Sequence, residues 1–507
     1  NVNGSDGSLK LANSSNAARN YIWIPNCNEG SISKVNVKTG QEVARYTTNP
    51  ASNAEPVRIA VDSQGNCWAA NRVTGSLIKI GLYENGIYND RNHDGIIQTC
   101  HDVDRNGIIT PDEVLNWGSD ECVTLETIII PGKEGVFHPG LYSGGYVAYG
   151  TGLTSLVLDN KNNVWLGIGE NQTLMYINGS SGEILKSYNV TAYGHRPNFS
   201  VIDKNGILWS GGSNLLRLDP STGSISVTNI GYNIFDMAYD GDDHIFSYGR
   251  PNGWYPNTRF SRIDVVNSLV DWTKVLPGYM NTGSIAVDNN GNMWLSEYYV
   301  GWATKNIAFS VYSHDGVFKS SVISGPSPFG LCFDSYGKLW IMDLDGEYIH
   351  RFDTSINGID LSKRLVSTNH NALGYFSVKS PDKYETGAWS VVHDYGIITG
   401  WDNISWNSFE PVGTKVSVHV RSSNDQINWS NWEDAVNGLS LKMTPPGQYL
   451  QVEVNLERFN NTESPVVYDI RINALNVTSE ATDLGVSITG NASSVGIGDT
   501  VHLIISL

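Results

Sequence analysis

The chain is short of cysteine, of positive charge and of long apolar runs. It carries five cysteines in 507 residues. None sits in a Cys-x-x-Cys pair, which removes zinc-ribbon, haem-attachment and thioredoxin-type chemistry. Lysine and arginine number 33 against 51 aspartates and glutamates, a formal net charge of −18. A nucleic-acid partner would need a basic face for its phosphates, so that class is set aside. An acidic surface suits solubility or divalent cations instead. No run of about eighteen apolar residues occurs, and no membrane span is expected. The first residue is Asn1, with neither Met nor an apolar leader, so the chain reads as a mature, processed form.

What the chain has is repetition. Ile59-Ala-Val-Asp62-Ser-Gln-Gly65-Asn-Cys-Trp68 returns in weaker form at Leu156–Trp165, Val201–Trp209, Met237–Phe246, Ile285–Trp294 and Leu331–Trp340. Each copy reads as a short buried strand, a tight turn holding Asp and usually Gly, and a second strand opening on an aromatic. A third strand follows, with turns such as Val35-Asn-Val-Lys-Thr39-Gly40. Four short strands at about forty-five residues per repeat is the pattern of a β-propeller blade. The six copies, plus a blade begun by Tyr21 to Tyr46, predict a seven-bladed propeller over residues 20–380. Two stretches compete to supply the first blade's innermost strand: Leu9 to Ala12, or Leu373 to Val378. Either would close the ring and remove exposed edges.

The gap between Asp62 and Asp159 is about twice the others and holds no further motif, so an insertion over residues 84–122 is expected. Within it, Asp102, Asp104, Asn106, Gly107, Ile108, Thr110 and Glu113 fit a twelve-residue EF-hand loop. Oxygen ligands fall at positions 1, 3, 5, 9 and 12, with the Ile108 carbonyl at 7, and these predict calcium. Ile109 would pack against a partner loop, and Val114 to Trp117 would open an exit helix. Asp90, Asn92 and Asp94 begin a second such loop, but its twelfth position is His101, a poor ligand for a hard cation. Water or a distant carboxylate would have to complete it; otherwise it is a solvated acidic turn.

Cys100 and Cys122 bracket a loop-rich insertion and are the expected disulfide, while Cys332 lies in an apolar strand and reads as an inert core thiol. A bridge would place the protein in an oxidising compartment. Asn-x-Ser/Thr sequons begin at Asn3, Asn13, Asn171, Asn178, Asn189, Asn198, Asn403, Asn428, Asn460, Asn476 and Asn491. With the disulfide, they favour an extracellular glycoprotein. Asn71, Glu170 and Glu297 end second strands and are candidates for the mouth of the central channel. The histidines, including His138, His195, His244 and His393, are scattered through the chain, so no catalytic residue is assigned.

Beyond residue 380 the pattern changes. Val416, Val418 and Val420, then Leu450, Val452, Val454 and Leu456, alternate with polar residues as in a β-sandwich, expected over 381–474. Trp406, Trp429 and Trp432 serve there either as sugar platforms or as core and corner residues. Residues 475–507 read as a partial Ig-like segment, and residues 1–19 as an extension. The fold class is therefore all-β.

The Val-Asp-x-x-Gly-x-x-Trp copies resemble those of the streptogramin-lyase-like and NHL-like propellers, over roughly residues 21–369. The lyases of that group are similar at Trp294-Leu-Ser-Glu297, whose Glu the resemblance makes a metal ligand. Their catalytic His falls two residues later, where this chain has Tyr299, so lyase chemistry is not carried over. Bacterial surface proteins of similar plan carry an Asp/Asn-rich second-blade insertion ending like Trp117-Gly-Ser-Asp-Glu-Cys122. The stretch from Asp483 to Leu507 is similar to the opening of an Ig-like repeat of prokaryotic surface proteins. Together these imply a calcium-stabilised, cell-surface structural subunit of a filament, sheath or surface layer. Its strands would self-associate by strand addition. The alternatives are a carbohydrate-binding adhesin, and a metal-assisted lyase or hydrolase working at the channel.

Overall fold

A computed structural model describes residues 8–11, 20–51, 54–104, 106–130, 152–251, 257–276, 280–299, 307–324, 328–334, 336–343, 348–354, 357–365, 377–378, 384–459 and 464–475. The chain divides into two compact units, one of residues 17–380 and one of residues 1–16 with 381–507.

The first unit contains seven four-stranded antiparallel sheets among the described residues. Their first strands are neighbours round a closed circuit, which makes the unit a β-propeller. The repeated aspartate explains why each sheet forms. In all six copies one carboxylate oxygen accepts backbone N–H bonds from the second and fourth residues after it, as Asp62 does from Gln64 and Asn66 at 2.9 Å each. That pins the turn between the first two strands. Gly65 completes it at φ 87°, where a side chain would be strained.

The other carboxylate oxygen reaches the core. Asp203, Asp288 and Asp334 accept the indole N–H of Trp209, Trp294 and Trp340 at 2.9, 3.1 and 2.8 Å. Each tryptophan is buried, so the bond satisfies a donor that water cannot reach. Near the axis, polar groups stitch successive sheets together. Arg58 donates to the carbonyls of Thr154 (2.6 Å) and Asn198 (3.2 Å), and Asn198 donates to Ile234 O at 3.2 Å. Asp236 accepts from Ser284 Oγ and Ile285 N on the next sheet.

Ser377–Val378 supplies the innermost strand of the first sheet, with Ile22 opposite Val378 and Trp23 opposite Ser377. Of the two candidates for closure, the later one takes the position. The earlier one has a different task. Leu9–Lys10 pairs with Val466–Leu475 in the second unit, Leu9 opposite Val467. The expected N-terminal extension is thus partly a strand of the C-terminal fold.

That fold is built on one long strand, Tyr384–Phe409. Its first half pairs with Gly447–Phe459, which in turn pairs with Thr414–Ser423. Its second half pairs instead with Val466–Leu475. The register slips between Asp394 and Thr399, and Gly396 turns the corner at φ 78°. Trp389, Val418 and Val452 from one leaf meet Trp401, Ile404 and Ile470 from the other, closing a β-sandwich core that includes Leu9 and Leu11. Residues 476–507, read as Ig-like strands, lie outside the described residues.

Leu9 is 1% exposed within that core. Leu9→Ala should therefore destabilise the second unit by about 2–5 kcal/mol, the cost of a buried leucine. Urea unfolding of the two proteins measures it, and a difference within error would show that the strand contributes nothing.

Candidate metal centre in the blade insertion

The insertion leaves the second blade after its third strand, Ser76–Ile80, and returns at its fourth, Val123–Ile128. It lies on the core of the first two blades. Leu82, Cys100, Ile109 and Cys122 are buried with Trp23, Ile32, Tyr46 and Ile78, and Val114 and Trp117 pack against the same cluster. Ile109 is spent on this core, not on a partner loop. No helix follows Glu113 among the described residues; a turn closed by Glu113 N to Thr110 O at 3.0 Å takes its place.

The loop from Asp102 gathers its acids. Ligand oxygens of Asp102, Asp104 and Glu113 lie within 4.8 Å of one another. Backbone donors aim them. Gly107 N–H bonds Asp102 Oδ2 at 2.7 Å, Asn106 N–H bonds Asp104 Oδ1 at 3.1 Å, and Ile108 N–H bonds Asn106 Oδ1 at 2.8 Å. Gly107 takes φ 81° at the sharp bend. Glu113 Oε2 accepts Thr110 N–H at 2.8 Å and Oε1 accepts Val103 N–H at 2.7 Å, and these two bonds hold its carboxyl below the usual range. Three ionised carboxylates this close repel one another unless a cation sits between them. The donor set is all oxygen, which suits calcium and not a soft metal.

The loop from Asp90 is set more widely. Asn92 Nδ2 donates to Asp94 Oδ2 at 2.9 Å and to Gln98 Oε1 at 3.1 Å. His101, its nominal twelfth position, is exposed and hydrogen-bonds Thr99 O through Nδ1 at 3.0 Å.

The expected disulfide is not formed. Cys100 and Cys122 are buried thiols outside any disulfide, as are Cys27 and Cys67, and Cys332 is not bridged either. A carboxylate does the stapling. Asp120 accepts Cys100 N–H through Oδ2 and Cys122 N–H through Oδ1, both at 2.9 Å, and so ties the middle of the insertion to its C-terminal end. Burial pushes the Cys100 thiol up to about 12 and the Cys122 thiol up to about 11, which starves both of the reactive thiolate.

A second cluster was not legible in the scatter of histidines. Asp240, His244 and His314 bring ligand atoms within 4.8 Å of one another. His314 comes from the neighbouring sheet and donates through Nε2 to Asp240 Oδ2 at 3.2 Å. This copy of the motif has Phe246 where others have Trp, so the histidine supplies the donor that the missing indole would have given. Arg262 Nη1 donates to His314 Nδ1 at 2.9 Å and also bonds Asp315 at 2.8 Å. A metal on Nε2 would force an N–H at Nδ1 against that guanidinium. The cluster is therefore a hydrogen-bonded clamp between sheets, with Arg262 as its cation.

Other candidates are placed as follows. Asn71 is fully buried and donates to Thr48 O and Ser76 Oγ, so it is not a channel-mouth ligand. Glu170 is exposed, and the side chain of Glu297 lies outside the described residues, as do those of Tyr299 and His138. Asn171, Asn189 and Asn428 are exposed, and Asn178 and Asn403 half-buried. Asn198 is 7% exposed and its amide nitrogen is committed to Ile234 O, which leaves no room for a glycan. Asn3, Asn13, Asn460, Asn476 and Asn491 lie outside the described residues. Arg421 stacks on Trp429 and Trp432, 5.0 and 4.4 Å from their centroids, and Trp406 packs on the sandwich core. These rings have structural partners, as a corner requires.

No protein-family model and no curated protein matches the sequence. Among solved structures the chain is similar to Kuenenia stuttgartiensis hydrazine synthase, at 10% identity over 65% of this chain and 91% of that one, with a TM-score of 0.46. It is similar to streptogramin B lyase at 13% identity, covering 68% of this chain and 93% of that one, TM-score 0.44. A third is a catalytically inactive virginiamycin B lyase from Staphylococcus aureus with quinupristin, at 14%, 71% and 98%, TM-score 0.42. Likeness at this level carries no argument about the site.

Two predictions follow from the geometry of these residues. In the native protein, Cys100 and Cys122 should resist alkylation at neutral pH and react only after unfolding, read by mass spectrometry; rapid labelling of either contradicts their burial. The second concerns His195, fully buried between Asn214 Oδ1 and Ser210 Oγ at 2.7 and 2.9 Å, whose pKa burial pushes down to about 4 from 6.5. Between those values the unfolded chain binds a proton that the folded chain refuses, so this group's stability is lost as pH falls through that window. The loss approaches about 3 kcal/mol. Relative to His195→Gln, the wild-type advantage in urea titrations should shrink by that amount between neutral pH and about pH 4. A pH-independent difference would be inconsistent with a buried neutral imidazole.

Proposed function

We propose that the chain is a calcium-stabilised structural protein of the cell exterior, working as a glycosylated subunit of a filament, sheath or surface layer. The observation that carries the calcium reading is the convergence of Asp102, Asp104 and Glu113 within 4.8 Å in a loop that packs on the first two blades. Calcium would neutralise the loop, fix the insertion, and so brace the blades beneath it. Extracellular modules commonly bind calcium at about 10⁻⁴–10⁻³ M, a range that only the outside of a cell sustains. Exposed sequons such as Asn171 and Asn189 accord with that location.

Self-association is read from the pattern of Val486, Ile488, Val501, Leu503 and Ile505, which fall at alternate positions as though one face were to be covered. A strand pair of this kind gains stability by joining a neighbouring molecule's sheet, where its backbone donors and acceptors are met. Repeated head to tail, the contact builds a polymer. In support of a structural role, the histidine cluster is occupied by Arg262 and the sandwich tryptophans by Arg421.

Glu113→Gln removes a charged ligand and should weaken calcium binding by at least the roughly 10- to 100-fold that loss of an outer-sphere partner costs. Calorimetry on chelator-treated protein reads this; unchanged binding would remove the calcium reading. Deleting residues 480–507 should leave a folded, calcium-binding monomer that no longer assembles, as followed by light scattering. If the truncated protein still polymerises, or the intact one stays monomeric at high concentration, the assembly reading is wrong.

A further inference from the structure

The loop from Asp90, the first of the two in chain order, lacks an acid at its twelfth position, yet the structure fills that place from elsewhere. Glu121, 3% exposed, accepts Arg91 N–H through Oε1 at 2.7 Å and Gln98 N–H through Oε2 at 2.9 Å. Arg91 and Gln98 are the second and ninth residues of the loop that starts at Asp90. In the loop that starts at Asp102, the second and ninth residues are Val103 and Thr110. They bond the same two oxygens of Glu113 at 2.7 and 2.8 Å. Glu121 thus holds towards the first loop the place that Glu113 holds towards the second, though it comes 31 residues after Asp90 and not 11.

The rest of the first loop follows its neighbour residue by residue. Gly95 N–H bonds Asp90 Oδ2 at 3.0 Å, Asp94 N–H bonds Asn92 Oδ1 at 3.1 Å, and Ile96 N–H bonds Asp94 Oδ1 at 2.7 Å. One atom departs from this match. In the second loop, Asp102 Oδ1 accepts Asn106 N–H at 3.1 Å. In the first loop, Asp90 Oδ1 is shut off from solvent and has no hydrogen-bond partner. A carboxylate oxygen left so is costly unless something positive meets it. It is the first-position oxygen, the one an EF-type loop turns on its ion.

We propose that the insertion holds a second calcium ion, with Glu121 as the remote twelfth-position ligand and Asp90, Asn92, Asp94, Gln98 and the Ile96 carbonyl completing it. Backbone pairing makes the position of Glu121 fixed. Its N–H bonds Gln98 O at 2.8 Å, and its carbonyl accepts Asn89 N–H at 2.9 Å. Asp120 beside it holds residues 100 and 122 together. The first loop draws its acids less tightly than the second, and binding pulls Asp94 and Gln98 off the Asn92 amide that now sits between them.

This inference rests on the calcium reading of the neighbouring loop, and the test separates the two. The full chain is stripped with chelator and titrated with calcium alone by calorimetry, with circular dichroism to check each variant's fold. Wild type should bind two ions. Glu121→Gln and, independently, Asp90→Asn should each bind one, while Glu113→Gln should lose the other. Asp90→Asn keeps an acceptor for Gly95 N–H, so it reports binding even if Glu121→Gln disturbs the fold. One ion in wild type, lost in Glu113→Gln and kept in both first-loop variants, overturns the second site and leaves the first. No binding at all overturns both.

Discussion

A carboxylate that accepts two backbone N–H groups is the interaction on which most of this molecule depends. Asp62 and its five counterparts use it to pin the turn between the first strands of six sheets. Asp120 uses it to join residues 100 and 122. Glu113 and Glu121 use it to close the two loops. Hydrogen bonds to a charged acceptor contribute roughly 1.5–3 kcal/mol each, more than neutral ones. Much of the acidic excess is thus part of the architecture, and is not only a solvated surface.

The same device explains the ending Trp117-Gly-Ser-Asp-Glu-Cys122. Trp117 packs on the blade core, Asp120 closes the insertion, Glu121 reaches the first loop, and Cys122 is buried beneath. Six consecutive residues thereby link the two acidic loops to the propeller core. Any shift of Trp117 or Cys122 would be felt at Tyr46, Cys100 and Ile109, because these share one packed cluster.

The propeller was legible in the sequence because its signal is local and repeated. An Asp, a turn residue and an aromatic lie within ten residues, and each copy uses them alike. The convergence of Asp102, Asp104 and Glu113 was legible for the same reason, since the three fall within twelve residues. What escaped were contacts made over long stretches of chain. Leu9 fits a strand pattern, but nothing in its neighbourhood says that Val467 will be its partner. Cys100 and Cys122 do bracket the loop from Asp102, yet the bond between those positions runs through Asp120 and not through sulfur. His314 answers the loss of an indole donor at Phe246, 68 residues earlier. The useful clue there was the departure from the motif, Phe for Trp, which leaves Asp240 needing another partner.

The central claim is that an ion, held by carboxylates that the backbone aims, keeps the insertion seated on the blades. Hydrogen exchange of the amides in residues 84–122, with calcium present and after chelation, tests it most directly. The account predicts faster exchange across the insertion after chelation, as unbalanced carboxylates push the loops open, while the strands at Tyr21–Asn26 and Cys67–Asn71 stay protected. Exchange that is unchanged by chelation throughout residues 84–122 would contradict it.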